Sequence, residues 1–194
     1  MGSQSQVQLY NEALLSIGGN VITSTTETSP NAVLCNRFFE SCRDYVTVNS
    51  RWNSAQAEAT VTATSDSPLI TVWTKKAALP TDPYCLRVLD CYVTGVHEDF
   101  EIVGREIYSN TMPMKIRYLK RITDLSSISP AFFQAMVRYL AYKLAYPLTK
   151  QHTVQAEMLK MYDFAIRDAR LLDAQEGVPV EIRADALTID RFRS

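Results

Sequence analysis

The strongest constraint on this chain is a change of hydrophobic period bracketed by two copies of one helix-start signal. Ser29-Pro30 and Ser129-Pro130 each place a capping hydroxyl before a proline at the first helical position, where its missing N–H has no intrahelical partner to lose. After the first, Leu34, Cys35, Phe38, Phe39, Cys42, Tyr45 and Val46 recur at three- and four-residue spacing, which predicts a helix over about 29–50 with Phe38 turned inward toward Met136. After the second, Phe133, Met136, Val137, Leu140 and Leu144 form a similar stripe, and Tyr146-Pro147 predicts its end, giving a helix over about 130–146. Between the two the residues turn β-branched and aromatic. Ser65-Asp66-Ser67-Pro68, Pro80-Thr81-Asp82-Pro83 and Met112-Pro113 punctuate that stretch, so a set of short strands is expected over about 59–121.

The flanks complete the pattern. Val7, Tyr10, Leu14 and Ile17 predict a helix over about 4–17 that stops at Gly18-Gly19. Val154, Met158, Tyr162, Ala165, Ala169 and Leu172 predict a last helix over about 152–176, ending before Gly177 and Pro179. Within the β region, Phe100 to Ser109 reads as a hairpin about Gly104-Arg105, because a type II′ turn requires glycine at its first central position. Met114, Ile116 and Tyr118 alternate with Lys115 and Arg117, as in a strand with one wet face. The fold class is therefore α+β: an antiparallel-type bundle of about four helices with a β-strand insertion between the second and third. Residues 1–179 read as one domain and residues 180–194 as an extended C-terminal arm. Val180, Ile182, Leu187, Ile189 and Phe192 make that arm too apolar for an inert tail and mark it as a segment that packs on a surface, its own β insertion or another chain.

Charge and chemistry narrow the function. With 20 Lys plus Arg against 21 Asp plus Glu, the formal net charge of -1 argues against binding nucleic acid or an anionic membrane through bulk positive charge. No apolar run approaches the roughly 18 residues of a membrane-spanning helix, and the first thirty residues lack a signal-peptide pattern, so the chain is expected to be neither inserted nor exported. Cys35, Cys42, Cys85 and Cys91 lack CxxC spacing and read as buried small hydrophobes of a reducing compartment. His97 and His152 have no carboxylate or thiol at ligand spacing, no GxSxG elbow occurs, and the glycines form no phosphate loop. No catalytic residue, metal or cofactor is therefore assigned. Two clusters are nominated: the acids Glu98, Asp99 and Glu101, which a carboxylate-based glycan hydrolase would need, and the basic patch Lys115, Arg117, Lys120 and Arg121 around Tyr118, which a nucleic-acid-binding module would need. Solvated charge on a strand face or edge is the plainer account of both.

One family shares the order and spacing of several landmarks. They are Asn11-Glu12-Ala13-Leu14-Leu15-Ser16-Ile17-Gly18, Arg51-Trp52-Asn53 after the second helix, Leu79-Pro80 through Leu86-Arg87-Val88, Gly104-Arg105, and Leu144-Ala145-Tyr146-Pro147-Leu148-Thr149. From about Asn11 to Pro179 the chain resembles the head-to-tail connectors, the tail tubular protein A adaptors, of short-tailed bacteriophages. It departs from them at Ser54-Ala55, where members often carry an aromatic, and its final arm aligns with none. The resemblance implies a helical bundle carrying a β insertion and a structural, non-enzymatic virion protein, assembled in the host bacterial cytoplasm and located in the tail at the portal vertex. Its implied partners are the portal protein, the tail nozzle protein, further copies of itself in a ring typically of twelve, and the genomic DNA that passes transiently through the channel. No membrane is implied.

Overall fold

The computed structural model describes residues 5–64 and 72–176, with the side chains of 173–176 excepted. The fold is α+β, with four helices and two antiparallel sheets among the described residues. Helix α1 spans Gln6–Ser16 and α2 spans Pro30–Asn49; strands β1 Gln56–Val61, β2 Lys75–Ala78, β3 Cys85–Val93, β4 Val96–His97, β5 Glu101–Val103, β6 Glu106–Ser109 and β7 Met114–Lys120 follow, then α3 Pro130–Thr149 and α4 His152–Glu176. The β region starts at Gln56, three residues before the expected Ala59. Both Ser-Pro signals act as read: the Ser29 hydroxyl accepts from the Ala32 N–H and the Ser129 hydroxyl from the Phe132 N–H.

Helix α3 is the axis of the bundle, with Phe132, Ala135, Met136, Leu140, Ala141 and Leu144 fully buried against residues of the other three helices. Tyr146-Pro147 does not end it. Helix α3 runs on to Thr149 and closes at Lys150, whose backbone is left-handed at φ 59°. Pro147 removes one backbone donor, and the turn after it is held by the Lys150 N–H on the Tyr146 carbonyl and the Thr149 hydroxyl on that of Ala145. On α2 the inward phenylalanine is Phe39, in edge contact with Tyr10 at 5.5 Å; Phe38 packs on the core from a partly buried position. Two stripe residues also fall away. Tyr45 is 45% exposed, and on α4 Ile166 completes the inner row with Met158, Tyr162 and Ala169, while Leu172 stands 48% exposed.

A four-stranded sheet has the order β1-β7-β3-β4 and a three-stranded sheet the order β2-β6-β5. The expected hairpin is present: Val103 pairs with Glu106 and Gly104 takes φ 61°, the sign a type II′ turn needs at that position. A second hairpin joins β3 to β4, with Thr94 at φ 49° and Gly95 at φ 83° between paired Val93 and Val96, the signature of a type I′ turn. Along β7 the alternation holds through Tyr118 and then breaks, because Leu119 is buried in the bundle core while Tyr118 lies in the core of the sheets.

That break marks the joint between the two cores. Trp52 is fully buried beside it, its indole N–H donating to the Val46 carbonyl at 2.8 Å and its ring 4.6 Å from Phe132. Arg121 forks onto Asp44 of α2, and Arg87 of β3 donates to the Val48 carbonyl near the α2 C-terminus. Next to Trp52, Ala55 is buried, and the Ser54 hydroxyl is shielded from water without a hydrogen-bond partner.

Candidate interaction surfaces

The nominated basic residues do not form one free positive face. Lys115 and Arg117 both reach Glu58 across the β1–β7 pair, at 3.6 and 3.2 Å, and Arg121 reaches Asp44 at 2.6 Å. Lys120 lines a small cleft with Pro83, Ile122 and Asp124. Strand β7 is an inner strand, so Lys115 and Lys120 do not guard a sheet edge, one of the accounts expected of this charge; Lys115 instead shares Glu58 of β1 with Arg117. Tyr118 itself is buried.

The acidic trio runs from the β4–β5 connection, with Glu98 and Asp99, into the start of β5 at Glu101. Glu101 accepts the Trp73 indole N–H at 2.7 Å, the Asp99 carbonyl accepts the Ser109 hydroxyl, and the Glu98 N–H bonds the Cys91 carbonyl. His97 lies in β4, edge-on to Tyr92, and His152 stacks on Tyr146 at 4.4 Å. Among the described residues no group of three or more His, Cys, Asp or Glu could hold a metal ion. All four cysteines are free and buried, and burial pushes the thiols of Cys35, Cys42 and Cys91 up to about 12.

Three features had little or no sequence signal. Tyr84 lies between two guanidinium groups, Arg105 at 4.1 Å and Arg121 at 4.4 Å from its ring centre. Arg105 also donates to the carbonyls of Pro80 and Cys85, so the chain segments around Leu79-Pro80, Leu86-Arg87 and Gly104-Arg105 converge at the joint. On the small sheet, the carboxyl of Glu106 accepts from the Tyr108 hydroxyl and then from Lys76, which holds it below its usual range and raises the Tyr108 phenol. Along the bundle, Tyr45, Tyr139 and Tyr162 cluster, with Tyr45 and Tyr139 stacked at 4.4 Å and Tyr162 tilted against Tyr139 at 4.8 Å. Burial is the main reason that the Tyr139 phenol is raised.

Among the described residues most exposed large apolar side chains fall in three places, with Tyr45 of α2 and Tyr146 of α3 standing apart from them. Leu15, Val21 and Val33 lie at the α1–α2 corner, Val72, Val96, Ile102 and Val103 on the β insertion, and Met161, Phe164, Leu171 and Leu172 along α4. Beside the last group, an open groove of about 500 Å³ runs between α3 and α4. Their spacing could have flagged this flank, since Met161 and Phe164 do not fit the buried row of α4. The arm residues Val180, Ile182, Leu187, Ile189 and Phe192 lie outside the described residues, as do Gly177, Pro179 and the Ser65–Pro68 punctuation. No helix among the described residues is long and apolar enough to cross a membrane. In comparison with known proteins, no family model and no curated protein matches the chain.

Proposed function

We propose that this protein is a structural adaptor of a short-tailed phage virion, forming a ring of identical subunits that joins the portal to the tail nozzle and continues the DNA channel. The observation that carries the reading is that, among the described residues, most exposed large apolar side chains are divided among the α1–α2 corner, the β insertion and α4. A cyclic ring is heterologous: each subunit offers its neighbours two different faces, and a connector needs further surface for the assemblies above and below. A single exposed patch would suit a simple two-fold dimer better. The resemblance landmarks support the same reading, because Asn11, Trp52, Pro80 and Arg105 all hold the body in shape. The Asn11 amide bonds both the N–H and the carbonyl of Ile22, while Arg105 ties the Pro80 turn to the sheets. Partial pairing of the basic residues with Glu58 and Asp44, together with a net charge of -1, is compatible with a channel that does not grip the genome it must release.

The free chain is expected to remain below ring size at micromolar concentration and to close only on the portal. Mixing it with its cognate portal and imaging by electron microscopy tests this; a portal that gains no ring overturns the proposal. Residues 180–194 are assigned to portal attachment, so their deletion is expected to abolish decoration while the fold persists. Normal decoration by the truncated chain would move attachment to the bundle or the β insertion.

A further inference from the structure

We infer that the groove between α3 and α4 is the resting site of this chain's own C-terminal segment, residues 180–194, in the free protein. Helix α4 is apolar over more of its circumference than the bundle covers. Met158, Tyr162, Ile166 and Ala169 form the buried row, yet outside it Met161 is 41% and Phe164 74% exposed. These side chains border a groove of about 500 Å³ walled on the α3 side by Gln134 and Arg138. A helix flank this apolar and this open wants a cover.

The chain supplies one by continuity. Phe164 lies twelve residues before Glu176, so the groove is about 18 Å back along α4 from its end. The sixteen residues from Gly177 to Phe192 span up to roughly 50 Å when extended, ample for a return along the helix. Their pattern suits the task. Leu187 and Ile189 alternate in the sequence, Phe192 adds an aromatic anchor, and the mixed charge of the segment, Asp190 with Arg191 and Arg193, is complementary to a groove that carries both signs, Arg138 and Lys160 with Glu157 and Asp168. A tethered segment also has an effective concentration on the order of millimolar, which favours it over a second copy at micromolar protein. Ordering the segment opposes burial, so the attachment is weak enough to exchange.

The assignment of the groove does not depend on the portal, although one consequence rests on the adaptor reading. If the arm leaves for the portal, the Phe164 flank is uncovered for a neighbouring subunit, and ring closure becomes coupled to attachment.

The test uses the full-length chain alone, with photoreactive benzoylphenylalanine replacing Phe164. The expected product is a cross-link within one chain from position 164 to a peptide of residues 180–194. Cross-links between chains, or to other segments only, overturn the inference. In parallel, the full chain carrying Leu187→Asp, Ile189→Asp and Phe192→Asp should lose that cross-link and bind a hydrophobic dye several-fold more strongly, an increase that Phe164→Ser reverses. Unchanged dye binding overturns it as well. Because no portal is present, a failure here is distinguishable from a failure of the adaptor reading.

Discussion

Phe38 and Phe39 are neighbours on α2, and the two positions share nearly the same helical stripe in the sequence, yet only Phe39 is in the buried core, against Tyr10. Phe39→Ala is expected to cost about 3–5 kcal/mol, and Phe38→Ala clearly less, because a partly exposed site loses less burial and leaves no closed cavity. Urea denaturation of the two variants checks the order, and equal losses would put Phe38 back on the inner face. Titration gives a second residue-scale outcome. Burial raises Cys35, Cys42 and Cys91 from 9.0 to about 12 and is the main cause that takes Tyr10 and Tyr162 from 10.0 to about 12. These groups are acids kept neutral by the fold, so the unfolded chain releases their protons first as pH rises. Their contribution is whole below about pH 9 and is lost progressively through the window up to about pH 12. The urea midpoint should therefore fall with pH above about 9, and thiol reagents at pH 8 should label the native chain at none of the four cysteines but the denatured chain at all of them.

At the scale of elements, the hairpins separate what the sequence can and cannot reveal. Gly104-Arg105 is legible because only glycine readily takes the first central position of its turn, and φ there is 61°. Thr94-Gly95 is not, since a β-branched residue is a poor choice for the left-handed conformation that Thr94 holds. Replacing Thr94 with Asn should relieve that strain and stabilise the protein by about 0.5–1 kcal/mol, seen as a higher urea midpoint; a loss would mean that the Thr94 hydroxyl bond to the Val93 carbonyl matters more. The same logic explains Pro147. A proline predicts a helix end from its own chemistry, but here the one lost donor is offset by the Lys150 and Thr149 bonds to the last carbonyls. Both Ser-Pro starts were legible because capping is local. Leu119 was not, because its side chain answers to a second core that no alternation on β7 announces. The same holds for the basic patch, whose acids Glu58 and Asp44 lie far away in sequence, and for the Tyr84 sandwich, assembled from three separate segments. A local pattern can nominate charges, whereas their partners are a property of the tertiary fold.

For the whole molecule the question is whether two cores make two stabilities. Tyr118 and Leu119, adjacent on β7, are each essentially fully buried, one in the core of the sheets and the other in that of the bundle. Unfolding the β insertion would thus pull Leu119 out of the bundle, uncover Trp52 beside Phe132, and free Arg121 from Asp44. Losing the bundle would in turn strip the support from β7, an inner strand on which both β1 and β3 depend for pairing. Each core alone would expose a large apolar face, so neither is expected to persist without the other. The prediction is one cooperative transition, with helical circular dichroism and tryptophan fluorescence superimposing and the calorimetric and van't Hoff enthalpies equal. Met136→Ala supplies the sharper form of the test, since Met136 is fully buried in the bundle and its truncation should cost about 2–5 kcal/mol. If the cores are coupled, that variant lowers the transition seen by a probe on the β insertion as far as the transition seen by the helices. If instead the helices melt earlier while the sheet signal stays at its parent temperature, the joint at Trp52 and Leu119 is a hinge between independent units.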